Sequence, residues 1–202
     1  SFGTSAIGGV VSMHSRTISR PWLEMEAGGG SFGTRMARGF GGSGGDGWGV
    51  GVAVDYVGSE GNFSFVDDHG TLFQADDDQT IERKNNAFDQ ASVLVKTHVD
   101  LNATWRLGVI DWFLWRSQGL PGMASAPTEK ASLRRMRNLL GFRLHGRPSR
   151  RFPLDVSVVP YVSWSQTELS DPLSEAGFGA DEIRDQSWVP GMNTTIKWPL
   201  FF

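Results

Sequence analysis

Between Trp48 and Tyr56 the chain reads WGVGVAVDY, with Trp48, Val50, Val52, Val54 and Tyr56 at every second position and Gly49, Gly51, Ala53 and Asp55 between them. A period of two predicts a β-strand with one apolar face. At roughly 3.3 Å per residue the stretch spans about 26 Å, or roughly 20 Å of height at a tilt near 40°. Its apolar face carries an aromatic residue at each end and only valine between. A transmembrane β-barrel presents an outward apolar band about 25 Å tall, edged by aromatic girdles. Trp48 and Tyr56 are spaced for two such girdles, with Val50, Val52 and Val54 facing lipid. One strand of a soluble sandwich would show the same alternation.

The pattern continues along the chain. Strands are expected at about 22–28, 34–42, 48–57, 87–100, 104–116, 134–146, 153–165 and 188–198. The connections alternate in length. Ser43 to Gly47, Asp100 to Ala103 and Arg147 to Phe152 are short; Gly58 to Asn86, Ser117 to Leu133 and Gln166 to Ser187 are long. Short turns on one side and long loops on the other are the outer-membrane barrel arrangement, with the long loops extracellular. Two positions strain the pattern. From Trp105 to Trp115 one face runs Trp105, Leu107, Val109 and then meets Asp111, so a bulge is expected near Val109 to Ile110. Pro160 cannot donate to a ladder and calls for an edge, a bulge or a strand end. Arg137 and Arg143 fall opposite Phe142, as they would toward a wet lumen.

Composition narrows the class. The 202 residues are 39% hydrophobic, with no apolar run near 18 residues, so helical membrane spans are excluded. Gly is abundant at 26 residues and Trp numbers 8, which suits tight turns, small inward positions and membrane interfaces. Cysteine is absent, removing disulfides and thiolate metal sites. A net charge of −3 argues against a nucleic-acid partner. The chain starts at Ser1 without Met or leader pattern, as expected of a processed protein or a piece of a longer one.

Ser1 to Arg16 reads SFGTSAIGGVVSMHSR. This resembles the last plug strand of TonB-dependent outer-membrane receptors, with Gly3, Ala6, Ile7, Gly8, Gly9, Val10, Ser15 and Arg16 at the matching positions. Gly30 to Thr34, Arg83 to Asp89 and Gln118 to Gly122 resemble segments of the first hairpin, the entry to the fourth strand and a loop after the fifth. The resemblance implies an all-β fold: an antiparallel transmembrane β-barrel, partial here, in the outer membrane of a Gram-negative bacterium. Residues 1–20 would close the plug and 21–202 would supply the first eight or so of about 22 barrel strands. It implies uptake of a siderophore, cobalamin or similar bulky nutrient, with the long loops and inner face contacting ligand. The implied partners are outer-membrane lipid and the remainder of the barrel or a second chain. The TonB complex would be reached only through an N-terminal region missing here, because no TonB box is present. An autonomous eight-stranded structural barrel is the alternative, favoured by the terminal aromatic Phe202.

Asp67, Asp68, Asp76, Asp77 and Asp78, with Asn62, His69 and Gln74 nearby, offer oxygen ligands of the kind Ca²⁺ takes. Cobalamin receptors of the family bind Ca²⁺ in an Asp-rich loop at this place. EF-hand spacing is absent, and the residues by themselves favour a solvated acidic loop over a metal site. His14, His69, His98 and His145 match no metal spacing. There is neither a nucleophile elbow nor a P-loop, and no Ser, His and acid are paired by sequence, so no enzymatic role is expected.

Overall fold

The computed structural model describes residues 20–71, 73–124, 126–148, 154–175 and 182–198. Among the described residues there are ten strands: β1 (Trp22–Gly30), β2 (Thr34–Gly45), β3 (Trp48–Ser59), β4 (Ser64–Asp67), β5 (Gln79–Glu82), β6 (Phe88–Asp100), β7 (Trp105–Gly119), β8 (Ser132–Gly146), β9 (Asp155–Ser170) and β10 (Glu182–Lys197). Eight of them form one sheet in the order β1-β2-β3-β6-β7-β8-β9-β10, every neighbour antiparallel. β4 and β5 make a separate hairpin inside the long β3–β6 connection. Among the described residues no helix is long and apolar enough to cross a membrane.

The sheet is open. β1 pairs with β2 alone and β10 with β9 alone. It is also a single layer: among the described residues Ala131 is the one buried hydrophobic side chain. A soluble domain of this length hides its apolar faces between two layers; this sheet does not.

Local chemistry sets the turns. Gly45 pairs Trp48, leaving Asp46-Gly47 as a two-residue hairpin loop, with only its second residue, Gly47, at positive φ (78°), a conformation glycine adopts without steric cost. Between β6 and β7, Asn102 Oδ1 accepts from the amides of Thr104 (2.9 Å) and Trp105 (3.0 Å), bending the chain back without glycine. Both turns share one rim with the β8–β9 connection. The β3–β6, β7–β8 and β9–β10 connections occupy the other, together with the tight Ser31–Gly33 turn.

Two local expectations are corrected. The bulge near Val109 to Ile110 is absent. Register runs unbroken on both sides, Val109 pairing Thr97 and Phe142, and Ile110 pairing Lys96 and Gly141. Asp111 keeps the parity of Val109 because its carboxylate has a partner, the Asn138 Nδ2 at 2.7 Å. Pro160 lies within β9, flanked by β8 and β10, rather than at an edge, bulge or end. The ladder accommodates it by a gap. Gly141 pairs Tyr161 and Leu144 pairs Val158, while Phe142 and Arg143 between them have no ladder partners in β9.

Candidate functional site

Cross-strand partners share a face, so the registers carry the parity of Trp48, Val50, Val52, Val54 and Tyr56 across the whole sheet. One middle row reads Leu23, Gly41, Val52, Val95, Asp111, Leu140, Val162, Pro190. A row nearer the short-turn rim reads Trp48, Val99, Leu107, Leu144, Val158. This face is apolar over some eight residues of each strand, and it is bare: Trp48 is 47%, Val54 45% and Phe142 43% exposed. Trp164 and Trp188 pair across β9 and β10 on it, ring centroids 6.2 Å apart.

Toward the long-loop rim the same face turns charged along one register row: Arg35, Gly58, Asp89, Ser117, Arg134, Glu168, Arg184. Arg35 Nη2 donates to Asp89 Oδ1 at 3.0 Å and Arg35 Nε to the Tyr56 hydroxyl at 2.9 Å; Tyr56 in turn donates to Asp89. These groups meet across the intervening strand because Gly58 has no side chain. A Cβ there would lie 2.6 Å from Asp89 Oδ1 and 2.7 Å from the Tyr56 oxygen. Arg134 and Glu168 form a second bridge at 3.5 Å.

The opposite face carries Gly49, Gly51, Ala53 and Asp55, and it is mixed: a middle row of Phe40, Ala53, Leu94, Trp112 and Leu139 is apolar, and charged groups flank it. Asp55 accepts from Ser92; Arg38 reaches Glu26 at 3.9 Å; Arg106 pairs with Asp100; His145 Nδ1 lies 3.3 Å from Asp155. Arg137 and Arg143 lie here, opposite in parity to Phe142.

The long-loop rim is stitched together by groups that alternation did not reveal. Asn85, at φ 51°, directs Nδ2 to the carbonyls of Leu120 (3.2 Å) and Ala131 (2.7 Å) and to Thr128 Oγ1 (3.0 Å). Glu175 Oε2 accepts the amides of Glu129 (2.9 Å), Lys130 (2.9 Å) and Ala131 (3.3 Å). The Lys130 amide above all holds the Glu175 carboxyl below its ordinary range; desolvation opposes it, and the Glu129 and Ala131 amides add to the lowering against a weaker contrary effect of the Asp171 charge. Arg83 stacks 5.5 Å above the Phe65 ring and donates to the Gly122 carbonyl. Polar residues without period gave no signal for these contacts beyond the Arg83 to Asp89 segment.

The acidic loop divides its carboxylates among local turns. Asp67 Oδ1 accepts from the His69 amide (3.1 Å), Asp68 Oδ1 from the Gly70 amide (3.0 Å), and both oxygens of Asp77 from the Thr71 hydroxyl (2.9 Å). Asp76 and Asp77 lie in a single 3-10 turn capped by Asp78. Among the described residues no three His, Cys, Asp or Glu side chains gather as a metal site requires. The plug-like positions Ala6, Ile7, Gly8, Gly9 and Val10 lie outside the described residues. No family model matches the chain, and no curated protein sequence matches it.

Proposed function

We propose that the chain is a stretch of outer-membrane β-barrel wall from a TonB-dependent receptor, serving uptake of a siderophore, cobalamin or similar bulky nutrient. The observation that supports this is the two-faced single sheet, one face apolar and bare over the middle of every strand and the other carrying charged groups on either side of a short apolar row. Lipid covers such an apolar face without a second protein layer, and a watery lumen accepts the other. The receptor assignment rests on the resemblance of the plug-like start and loop segments.

On this reading the long-loop rim is extracellular and the nutrient enters past the Asn85 and Glu175 anchors. The bare edges of β1 and β10 join the remainder of the wall or a second chain, since open edges within a bilayer leave unpaired amides and carbonyls. The TonB complex is engaged through a region other than these residues. Weak Ca²⁺ binding by Asp67, Asp68, Asp76, Asp77 and Asp78 belongs to the same reading; calorimetry on the protein with all five changed to Asn removes any heat that the loop contributes.

The experiment is labelling from either side of the membrane. The chain has no cysteine of its own, so Asp76→Cys and Asp46→Cys give clean single sites. Asp76→Cys should react with an impermeant maleimide on intact cells, and Asp46→Cys only after the outer membrane is opened. Equal reactivity of both on intact cells overturns the reading.

A further inference from the structure

On the polar face of β7 and β8, beneath the long-loop rim, Arg116 and Arg135 stand directly opposite one another. Like charges in that position destabilise a sheet, with Cβ atoms only about 5 Å apart. Arg137 follows on the same face of β8, facing Leu114 and Ser165 rather than an acid. Arg135 faces Thr167 on its other side. Among the described residues neither Arg135 nor Arg137 has an ion pair, while Arg35, Arg38, Arg106 and Arg134 each have one. Three neighbouring guanidinium groups on one face therefore lack the carboxylate that the sheet supplies to Arg35, Arg38, Arg106 and Arg134; Arg143 and Arg184, also without an ion pair among the described residues, stand apart from them beside neutral Ser157 and Gln166.

Arg116 is also held in place. Its Nε donates to Gln118 Oε1 at 2.7 Å, its Nη1 lies 3.4 Å from Gln90 Oε1, and its carbon sits 5.0 Å above the Phe88 ring. Neutral amide oxygens and an aromatic face fix the guanidinium while leaving its charge uncompensated. Such an arrangement is ready for an external anion, because planar guanidinium forks bind carboxylate and phosphate in bidentate fashion. We propose that Arg116, Arg135 and Arg137 form a subsite for a small solute bearing carboxylate or phosphate groups, just inside the long-loop rim. The inference deepens the transport reading, since it gives the solute a charge, and it rests on this face being the watery one. A small solute fits better than a protein segment: the three arginines span two strands and two consecutive inward positions, a patch the size of one polyanion.

The test is calorimetric titration of the full chain in detergent with citrate and with inorganic phosphate at low ionic strength. Citrate or phosphate should bind the parent chain. Arg116→Gln and Arg135→Gln should each weaken that binding about tenfold. Arg134→Gln should not, because Arg134 is next in sequence to Arg135 but lies on the other face in its bridge to Glu168. Without anion, Arg135→Gln should raise the melting temperature by relieving repulsion, whereas loss of a merely structural arginine lowers it. Equal weakening by Arg134→Gln and Arg135→Gln overturns the subsite, as does absence of binding by both anions. Binding of a Glu-rich peptide in their place assigns the patch to a protein and overturns it too. The membrane reading fails by a different sign, the Asp46→Cys and Asp76→Cys labelling, which the anion titration does not touch.

Discussion

On the proposed membrane reading, a single arginine placed on either face of β3 distinguishes a lipid-facing side from a lumen-facing one. Val52 lies midway between Trp48 and Tyr56, four residues from each, so about 13 Å of strand or roughly 10 Å of height lies between it and either girdle. Its row neighbours are Gly41 and Val95. Val52→Arg thus puts a guanidinium near the bilayer midplane with no carboxylate in the flanking pairs. The depth-dependent cost for Arg at that position is about 2–4 kcal/mol, which is roughly a 30- to 900-fold loss in the folding equilibrium. Ala53→Arg, one residue on, points to the other face, between Phe40 and Leu94 and two positions from Asp55. If that face is the watery one, as proposed, the long side chain can reach past Phe40 and Leu94 to solvent and to Asp55, so the expected cost is below about 1 kcal/mol. Folding into phospholipid vesicles, followed by urea titration with tryptophan fluorescence, measures both. A cost for Ala53→Arg equal to or above that for Val52→Arg refutes the facing, and with it the lipid assignment of Trp48, Val50, Val54 and Tyr56.

Gly58→Ala should cost about 1–3 kcal/mol in the same titration, because its Cβ displaces Asp89 from Arg35 and Tyr56; an unchanged midpoint removes any role for the gap in β3. Asp111→Val alone should destabilise by about 1–3 kcal/mol by stranding the Asn138 amide in the apolar band, and Asp111→Val with Asn138→Leu should recover most of that loss; a double-mutant cycle without coupling contradicts the pairing. Glu175 is held below its ordinary carboxyl range in the folded chain. Its anchoring of Glu129, Lys130 and Ala131 is therefore complete above the unfolded value and lost as pH falls through the lowered folded one. Hydrogen exchange of those three amides should accelerate on acidification, and in Glu175→Gln the acceleration should be present already at neutral pH. Slow exchange throughout in the variant would show that something else holds the loop.

The eight long strands were legible because their apolar face alternates without help from distant residues. Where β9 and β10 run beyond that face, the sequence is silent. Ser165 to Ser170 and Glu182 to Ser187 carry mostly polar side chains on both parities, yet they are ladder residues paired with one another. Period reports what covers a strand, whereas hydrogen bonding continues into water. Asp111 misled for the converse reason: its polarity is answered by Asn138 on the neighbouring strand, a partner far off in sequence. The β4–β5 hairpin and the Asn85 and Glu175 anchors were illegible on the same ground, since each depends on which loops the topology gathers to one rim.

The two ends of the apolar face are unlike, and this bears on orientation. At the short-turn end the row Trp48, Val99, Leu107, Leu144, Val158 is apolar and ends on uncharged Thr194, with Ile196 paired to Val156 beyond it. At the long-loop end the row from Arg35 to Arg184 becomes charged on β2, β6, β8, β9 and β10 together. A two-layer soluble sheet gives no reason for one register row to change character on strands so far apart. A boundary between hydrocarbon and charged headgroups does, because it meets every strand at its own plane. Guanidinium groups paired with carboxylates within that row suit a surface dense in anionic headgroups, where unpaired acids would be repelled and unpaired bases saturated. On the proposed membrane reading the charged row marks that boundary at the long-loop end, and the short Asp46-Gly47 and Asn102 turns then lie at the opposite side of the bilayer.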